Sequence, residues 1–272
     1  MIRAAVLGSP ISHSLSPLLH TVAYNELGLK GDYTAIEVKS GELSDFLLSC
    51  DESWTGFSLT MPLKEEVIAL ADVVSPLALT INSANTLIRE SGQWHATTTD
   101  VSGFTHALSS AGIHISGEVL IIGAGATARA AAAACDGVAN SITVMSRSVS
   151  REKDMREAVK TSQIDFISWG DSSSFSSAQL IISTTPSGAS DSLSDFLPKN
   201  PNSSLFDALY HPWPTLILER WKDNGGEIID GLDLLIHQAI DQMQLFARVT
   251  FDRQDMAKLL RKHGLIALNS ST

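Results

Sequence analysis

The sequence predicts an α/β protein of two domains: an N-terminal α/β domain, then a doubly wound parallel sheet, with the last helices of the chain returning to the first domain. Three observations predict it. The apolar run at residues 119–122 ends in Gly123-Ala-Gly125 and passes straight into an alanine-rich helical stretch, which reads as buried strand, tight turn and helix start. Short β-like runs recur near residues 119, 142, 165, 180 and 205 with helical or serine-rich stretches between them, the rhythm of parallel strands joined by crossovers. The N-terminal part alternates strand and helix in the same way, and 272 residues at 44% hydrophobic and 18% charged suffice for two cores. The expected boundaries are 1–101, completed by 239–272, for the first domain and 102–238 for the second.

Taken in order, residues 3–7 read as a buried strand broken by Gly8-Ser-Pro10, and Ser16-Pro17 is a suitable N-cap and first-turn pair for a helix to about residue 27. Strands at 33–38 and 56–60 bracket a short helix at 42–48, and Pro62 opens another helix. Residues 85–89 and 93–97 form a hairpin around Ser91-Gly92. A helix at 102–111 leads into the glycine turn. The polar run 171–177 reads as a surface loop or short helix. Gly225-Gly226 precedes a last strand at 227–229, helical spacing follows over 232–248 and 253–262, and Asn269 to the terminus reads as frayed.

A formal charge of -11 excludes a broad basic face for nucleic acid or an anionic membrane. No stretch approaches the length of a membrane span, and Met1-Ile-Arg enters a strand pattern without a signal-peptide core, so a cytoplasmic location is expected. Cys50 and Cys135 lie far apart and form no C-x-x-C pattern, so both read as buried thiols. The histidines show no ligand spacing, and no metal is expected.

In the glycine turn, Gly123 can adopt a conformation a Cβ would forbid, Gly125 lets a phosphate approach the backbone, and Ala128 lets the helix pack close to the strand. The free N–H groups of the new helix would face a pyrophosphate; a bare packing turn is the plainer alternative. About 20 residues on, where an acid would hold a ribose hydroxyl, the run at residues 141–145 ends at Ser146-Arg-Ser148. Arg147 and Arg151 stand there instead of an acid, which favours a 2′-phosphate and hence NADP(H).

Three polar clusters could carry chemistry. The first is the hydroxyl-rich loop Ser12-His13-Ser14-Leu15-Ser16. The second is Ser58-Leu-Thr60-Met-Pro-Leu-Lys64, where a buried strand ends in a threonine and delivers a lysine to a helix start. A first-turn lysine faces the positive end of the helix dipole, which disfavours its ammonium form and suits proton transfer. The third joins Asn85-Thr86 to Thr97-Thr-Thr-Asp100 at one end of the hairpin. Each has a plainer reading: Ser16 as a helix cap, Lys64 as a solvated lysine, Asn85 as an Asx turn, Asp100 as an N-cap.

Together these motifs resemble the shikimate dehydrogenase family from residue 5 to about 250. Ser14-Leu-Ser-Pro17 is similar to its S-x-S-P loop, Thr60-Met-Pro-Leu-Lys64 to T-x-P-x-K, Asn85-Thr86 to N-T and Thr99-Asp100 to T-D. Farther on, residues 146–151 resemble the phosphate-clamping N-R-T-x-x-R loop. Asp207-Ala-Leu-Tyr210-His-Pro212 resembles D-x-x-Y-x-P, and Gly231 through Gln238 the G-L-x-M-L-x-x-Q helix. The resemblance implies reversible, NADPH-dependent reduction of 3-dehydroshikimate to shikimate, toward chorismate and the aromatic amino acids. Ser14, Ser16, Thr60, Asn85, Asp100 and Gln238 would then hold the substrate, with Tyr210 nearby and Lys64 and Asp100 as the acid-base pair.

Gly123, Ala124, Gly125, Ala126, Ser146, Arg147, Ser148, Arg151, Thr184 and Gly231 would hold the cofactor, and the molecule would be a monomer or homodimer. The sequence departs from the family at Ser58, Thr98 and Ser146, each often Asn, and at Val101, usually Gly. An NAD-preferring quinate/shikimate dehydrogenase and a non-catalytic binding paralogue are the alternatives.

Overall fold

The computed structural model describes residues 1–270. The chain divides into two compact units, residues 1–99 with the chain from 235 on, and residues 100–234.

In the first unit, β1 (Ile2–Gly8) is apolar along most of its length and lies between two parallel neighbours, β2 (Gly31–Glu37) and β3 (Gly56–Leu59). A strand buried on both faces needs such a run rather than alternation. Between β1 and β2 runs α1 (Ser16–Glu26), with Pro17 in its first turn. The expected cap is corrected here: Leu15 holds the N-cap position, Ser16 is already helical, and Ser14 Oγ accepts the Ser16 N–H at 3.3 Å. Ser14, not Ser16, therefore supplies the hydroxyl that accepts a first-turn N–H.

α2 (Leu43–Ser49) precedes β3, and α3 (Leu63–Glu66) follows it but lasts one turn before a 3-10 turn at Val67–Ala69. The helix dipole expected beside Lys64 is thus that of a single turn. Next come β4 (Val73–Val74), α4 (Pro76–Thr80), β5 (Thr86–Glu90) and β6 (Gln93–Thr97). Ser91 and Gly92 both have positive φ, 50° and 82°, as a two-residue type I′ hairpin turn requires. The sheet order is β2-β1-β3-β5-β6-β4, antiparallel from β3 through β6. Phe57 of β3 centres the core, ringed by Phe46, Trp54 and Trp94 at centroid distances of 4.8 to 5.3 Å.

The second unit opens with α5 (Asp100–Ser110), two residues earlier than expected, so Asp100 is a first-turn residue rather than a cap outside the helix. Then follow β7 (Glu118–Ile122), α6 (Ala126–Cys135), β8 (Ser141–Ser146), α7 (Glu152–Glu157), β9 (Gln163–Ser168) and α8 (Ser174–Ser177). β10 (Leu180–Ser183), β11 (Ser204–Asp207), α9 (Leu216–Asp223) and β12 (Glu227–Ile229) complete it. All six strands are parallel in the order β12-β11-β10-β7-β8-β9, the doubly wound arrangement. Its order reverses between β7 and β10.

The chain then forms α10 (Gly231–Ala247) and α11 (Arg253–Ser270), and α11 packs against α1 of the first unit. α11 runs eight residues past the expected 262. Residues 271 and 272 of the expected frayed end lie outside the described residues. Cys135 is buried, its thiol pushed up to about 12 by desolvation, whereas Cys50 is half-exposed rather than buried. The Cys50 sulfur instead donates to the Phe46 carbonyl, at the edge of the core. Among the described residues no cluster of His, Cys, Asp or Glu could hold a metal, and no helix is long and apolar enough to cross a membrane.

Candidate active site

Parallel strands deliver their following loops to one sheet end, and β1 and β3 of the first unit do this side by side. Gly8 closes β1 against the end of β3: a Cβ there would lie 2.4 Å from Thr60 Cγ2, and the Ser9 N–H donates to the Met61 carbonyl at 3.0 Å. The loop carrying Ser14 thus begins beside Thr60. The end of β3 is bound in turn to the start of the hairpin, where the Leu59 N–H donates to the Asn85 carbonyl at 2.7 Å and the Ala84 N–H to the Lys64 carbonyl at 2.9 Å. Lys64 is half-buried, Asn85 buried and Ser16 buried.

Asn85 is the hub. Its Oδ1 accepts from the Thr99 N–H at 2.8 Å and the Thr86 hydroxyl at 2.9 Å, while its Nδ2 donates to Thr99 Oγ1 at 2.9 Å and Gln238 Oε1 at 3.2 Å. Such a buried amide must be satisfied or removed. Gln238 comes from α10 and its Nε2 donates to the Leu235 carbonyl at 2.8 Å. The sequence places Thr99 in the same cluster as Asn85 and Asp100 but gives it no role, whereas in the fold it is the nearest partner of Asn85.

Beneath this cluster Ser58 meets residues with no motif to announce them. Tyr33, Ser58 and Gln242 form a buried hydrogen-bonded chain, and His20 is stacked on Tyr33 with ring centroids 3.7 Å apart. His20 Nδ1 lies 3.2 Å from the Tyr24 hydroxyl. Complete burial pushes the imidazole from 6.5 down to about 3. The unfolded chain therefore takes up this proton first, so the stability His20 contributes is whole above pH 6.5 and drains as pH falls toward 3. Urea unfolding of the wild type at successive pH values should show the loss, and His20→Phe, which keeps the stack, should flatten the slope by about 1.4 kcal/mol per pH unit below pH 6. An unchanged slope would contradict a neutral buried His20.

In the second unit Asp100 is buried at the start of α5, a favourable end for a carboxylate, and follows Thr99 directly in the chain. Tyr210 sits in the loop after β11, which Asp207 shapes by accepting from the Leu209 N–H at 3.2 Å and from the Thr215 hydroxyl. Burial pushes the Asp207 carboxyl above its usual range, against the pull of those bonds. Gly231 closes the same loop, since a Cβ there would lie 2.4 Å from the Leu209 carbonyl carbon.

The same unit holds a nucleotide cradle at the point where its strand order reverses. Gly123, at the end of β7, has φ +112°, and a Cβ on it would meet Thr184 Oγ1 at 2.6 Å. Thr184 directly follows the neighbouring β10 and donates both N–H and hydroxyl to the Ile122 carbonyl, at 2.9 and 3.0 Å. Gly125 holds the N-cap position of α6 in an extended conformation, and a Cβ there would meet nothing within 4 Å, the clearance a diphosphate needs. Ala124 and Ala126 line this turn half-buried, and Ala128 packs the helix down at 0% exposure.

At the end of β8 a cleft of about 450 Å³ is lined by Ser146, Arg147, Val149, Phe166 and Trp169 among others. Arg147 lies over the Trp169 ring, 4.2 Å from its centroid, and donates to the Ala189 carbonyl at 2.6 Å, which uses one of its five N–H groups. Arg151 pairs with Asp154 at 3.9 Å, and the Ser148 and Ser150 hydroxyls are hydrogen-bonded at 2.8 Å. An exposed arginine and serine hydroxyls at the strand end fit a phosphorylated ribose, with the Glu152 carboxylate also lining the cleft. Trp169 is the member that sequence reading missed, since a lone tryptophan after β9 reads as core.

Fold and side chains together define a class: a two-unit α/β enzyme in which a doubly wound sheet binds a dinucleotide and a second α/β unit presents hydroxyls, amides and a lysine. Comparison with known proteins narrows it. The shikimate dehydrogenase substrate binding domain matches residues 6–87. The NADP(+) shikimate dehydrogenase of Thermus thermophilus is 31% identical over 265 residues, covering 96% of this chain and 98% of that protein. The Mycobacterium tuberculosis shikimate dehydrogenase superposes with a TM-score of 0.85 at 32% identity, over 96% of this chain and 99% of that one. The Thermus thermophilus shikimate 5-dehydrogenase, solved in complex with NADP(H) and shikimate, gives 0.84 at 30% identity, over 97% and 100%. The chain belongs to the shikimate dehydrogenase family.

Proposed function

We propose that the protein interconverts 3-dehydroshikimate and shikimate with NADP(H), a step of aromatic biosynthesis. The observation that carries this is the cluster around Asn85, joined by backbone hydrogen bonds to the segment from Thr60 to Lys64. Shikimate bears three hydroxyls and a carboxylate, and such a ligand needs convergent hydroxyls and amides. Ser14, Ser16, Thr60, Asn85, Asp100 and Gln238 hold these groups, with Tyr210 nearby.

NADP(H), when bound in the cradle at Gly123 to Ala126 with Thr184 and Gly231 and held through Ser146, Arg147, Ser148 and Arg151, supplies or accepts the hydride. Lys64 Nζ gives its proton to the carbonyl oxygen of 3-dehydroshikimate as negative charge develops there, and takes it back from the hydroxyl in the reverse direction. Asp100 is the proposed acid-base partner of Lys64, on the family resemblance. The cytoplasm is the proposed location, on the unpaired cysteine pattern, and monomer or homodimer the proposed state, on family resemblance.

Comparing kcat/KM for NADP and NAD with shikimate and with quinate tests the proposal. Preference for NADP and shikimate is expected, as Arg147 and Arg151 and the relatives' names support. Better turnover with NAD and quinate, or tight binding of shikimate and NADP without turnover, would overturn it.

A further inference from the structure

The buried hydrogen bonds of the first unit run in one direction from Tyr33 to Gln238, and Gln242 is the link that joins their two halves. Backbone groups that can only donate or only accept fix the orientation of every amide involved. The Asn85 carbonyl accepts from Gln242 Nε2 at 3.2 Å, so the Gln242 nitrogen faces β5 and its oxygen faces Ser58. The Thr99 N–H donates to Asn85 Oδ1, and the Leu235 carbonyl accepts from Gln238 Nε2. With those ends set, the Tyr33 hydroxyl donates to Ser58 Oγ at 2.6 Å and Ser58 donates to Gln242 Oε1 at 2.7 Å. Gln242 Nε2 then donates to Thr86 Oγ1 at 3.0 Å, Thr86 to Asn85 Oδ1 at 2.9 Å, and Asn85 Nδ2 to Gln238 Oε1 at 3.2 Å.

We propose that Gln242 is a positioning residue for substrate binding, acting through Thr86 on the amide of Asn85. By occupying the acceptor side of the Thr86 hydroxyl, it obliges that proton to point at Asn85 Oδ1. Together with the Thr99 N–H on the same oxygen, this holds Asn85 with its NH2 group toward Gln238, and a substrate oxygen meets a donor rather than an acceptor. Gln242 also grips the Asn85 carbonyl, so α10 fixes the main chain and the side chain of the same residue. At 1% exposure it is sealed from a ligand and acts only through its neighbours. Its signal in the sequence is its place one helical turn beyond Gln238, on the same face of α10.

The inference rests on the proposed substrate, and equilibrium binding separates the two. If wild-type protein binds no shikimate in calorimetric titration, the functional reading has failed. If it binds, Gln242→Met, which keeps length without donors or acceptors, should weaken shikimate at least tenfold and raise its KM to match. Its kcat should change less, and its Kd for NADP should stay within about twofold, as hydrogen-bond loss at a buried site predicts. Thr86→Val, which cuts the chain between Gln242 and Asn85 while keeping shape, should reproduce the shikimate-specific loss and serves where Gln242→Met does not fold. Unchanged shikimate affinity in a folded variant, or equal weakening of shikimate and NADP, would overturn the assignment.

Discussion

Lys64→Ala is expected to lower kcat by roughly a hundred- to ten-thousand-fold, the range for losing a positioned general acid, while NADPH affinity measured by fluorescence titration stays close to that of the wild type. The substitution leaves the local frame in place, because the bond from the Ala84 N–H goes to the Lys64 carbonyl and survives loss of the side chain. Leu63 and Val67, which flank the single turn, are both fully buried and hold it independently of residue 64. What disappears is the group that meets negative charge on the substrate oxygen. Turnover close to the wild-type rate would remove Lys64 from the chemistry.

The second large effect is on cofactor choice. Replacing Arg147 and Arg151 together by alanine should raise the KM for NADP roughly a hundredfold, as expected for two charge-assisted contacts, and leave the KM for NAD nearly unchanged. Both side chains are exposed, so the sheet beneath them does not depend on them. Trp169 loses its stacked guanidinium but keeps its place at the end of β9. Steady-state kinetics with each cofactor at saturating shikimate gives the comparison. Equal loss with NADP and NAD would assign the arginines to the shared diphosphate instead, and no loss would place the 2′-phosphate elsewhere.

The buried parallel strands were legible because such strands are written as apolar runs, and β7 and β10 are plain examples. The glycine turn was legible for the same reason that it works: only a residue without Cβ tolerates φ +112° beside Thr184. β4 and α4 were not legible. β4 is two residues long and exists through pairing with β6, a partner that local pattern does not contain. The cap of α1 was misread because Pro17 marks a first turn without saying which serine accepts the N–H.

In the site, residues that meet a ligand were legible as clusters at strand ends, whereas those that orient them were not. Ser58 reads in sequence as a departure from the family's usual Asn, and its meaning depends on Gln242, which lies 184 residues away. Tyr33 and His20 are ordinary core positions until the hydrogen bonds and ring stacking connect them to the site. Long-range side-chain pairing leaves no period in a sequence, and for that reason it emerges only from the fold.

The central claim, that this chain oxidises shikimate reversibly through Lys64, is tested most directly by incubating purified protein with shikimate and NADP while following the reduced-nicotinamide band and analysing the product by mass spectrometry. The account predicts one equivalent of NADPH for each 3-dehydroshikimate formed with the wild type, and next to none with Lys64→Ala. No NADPH from the wild type, or equal formation by both proteins, would contradict it.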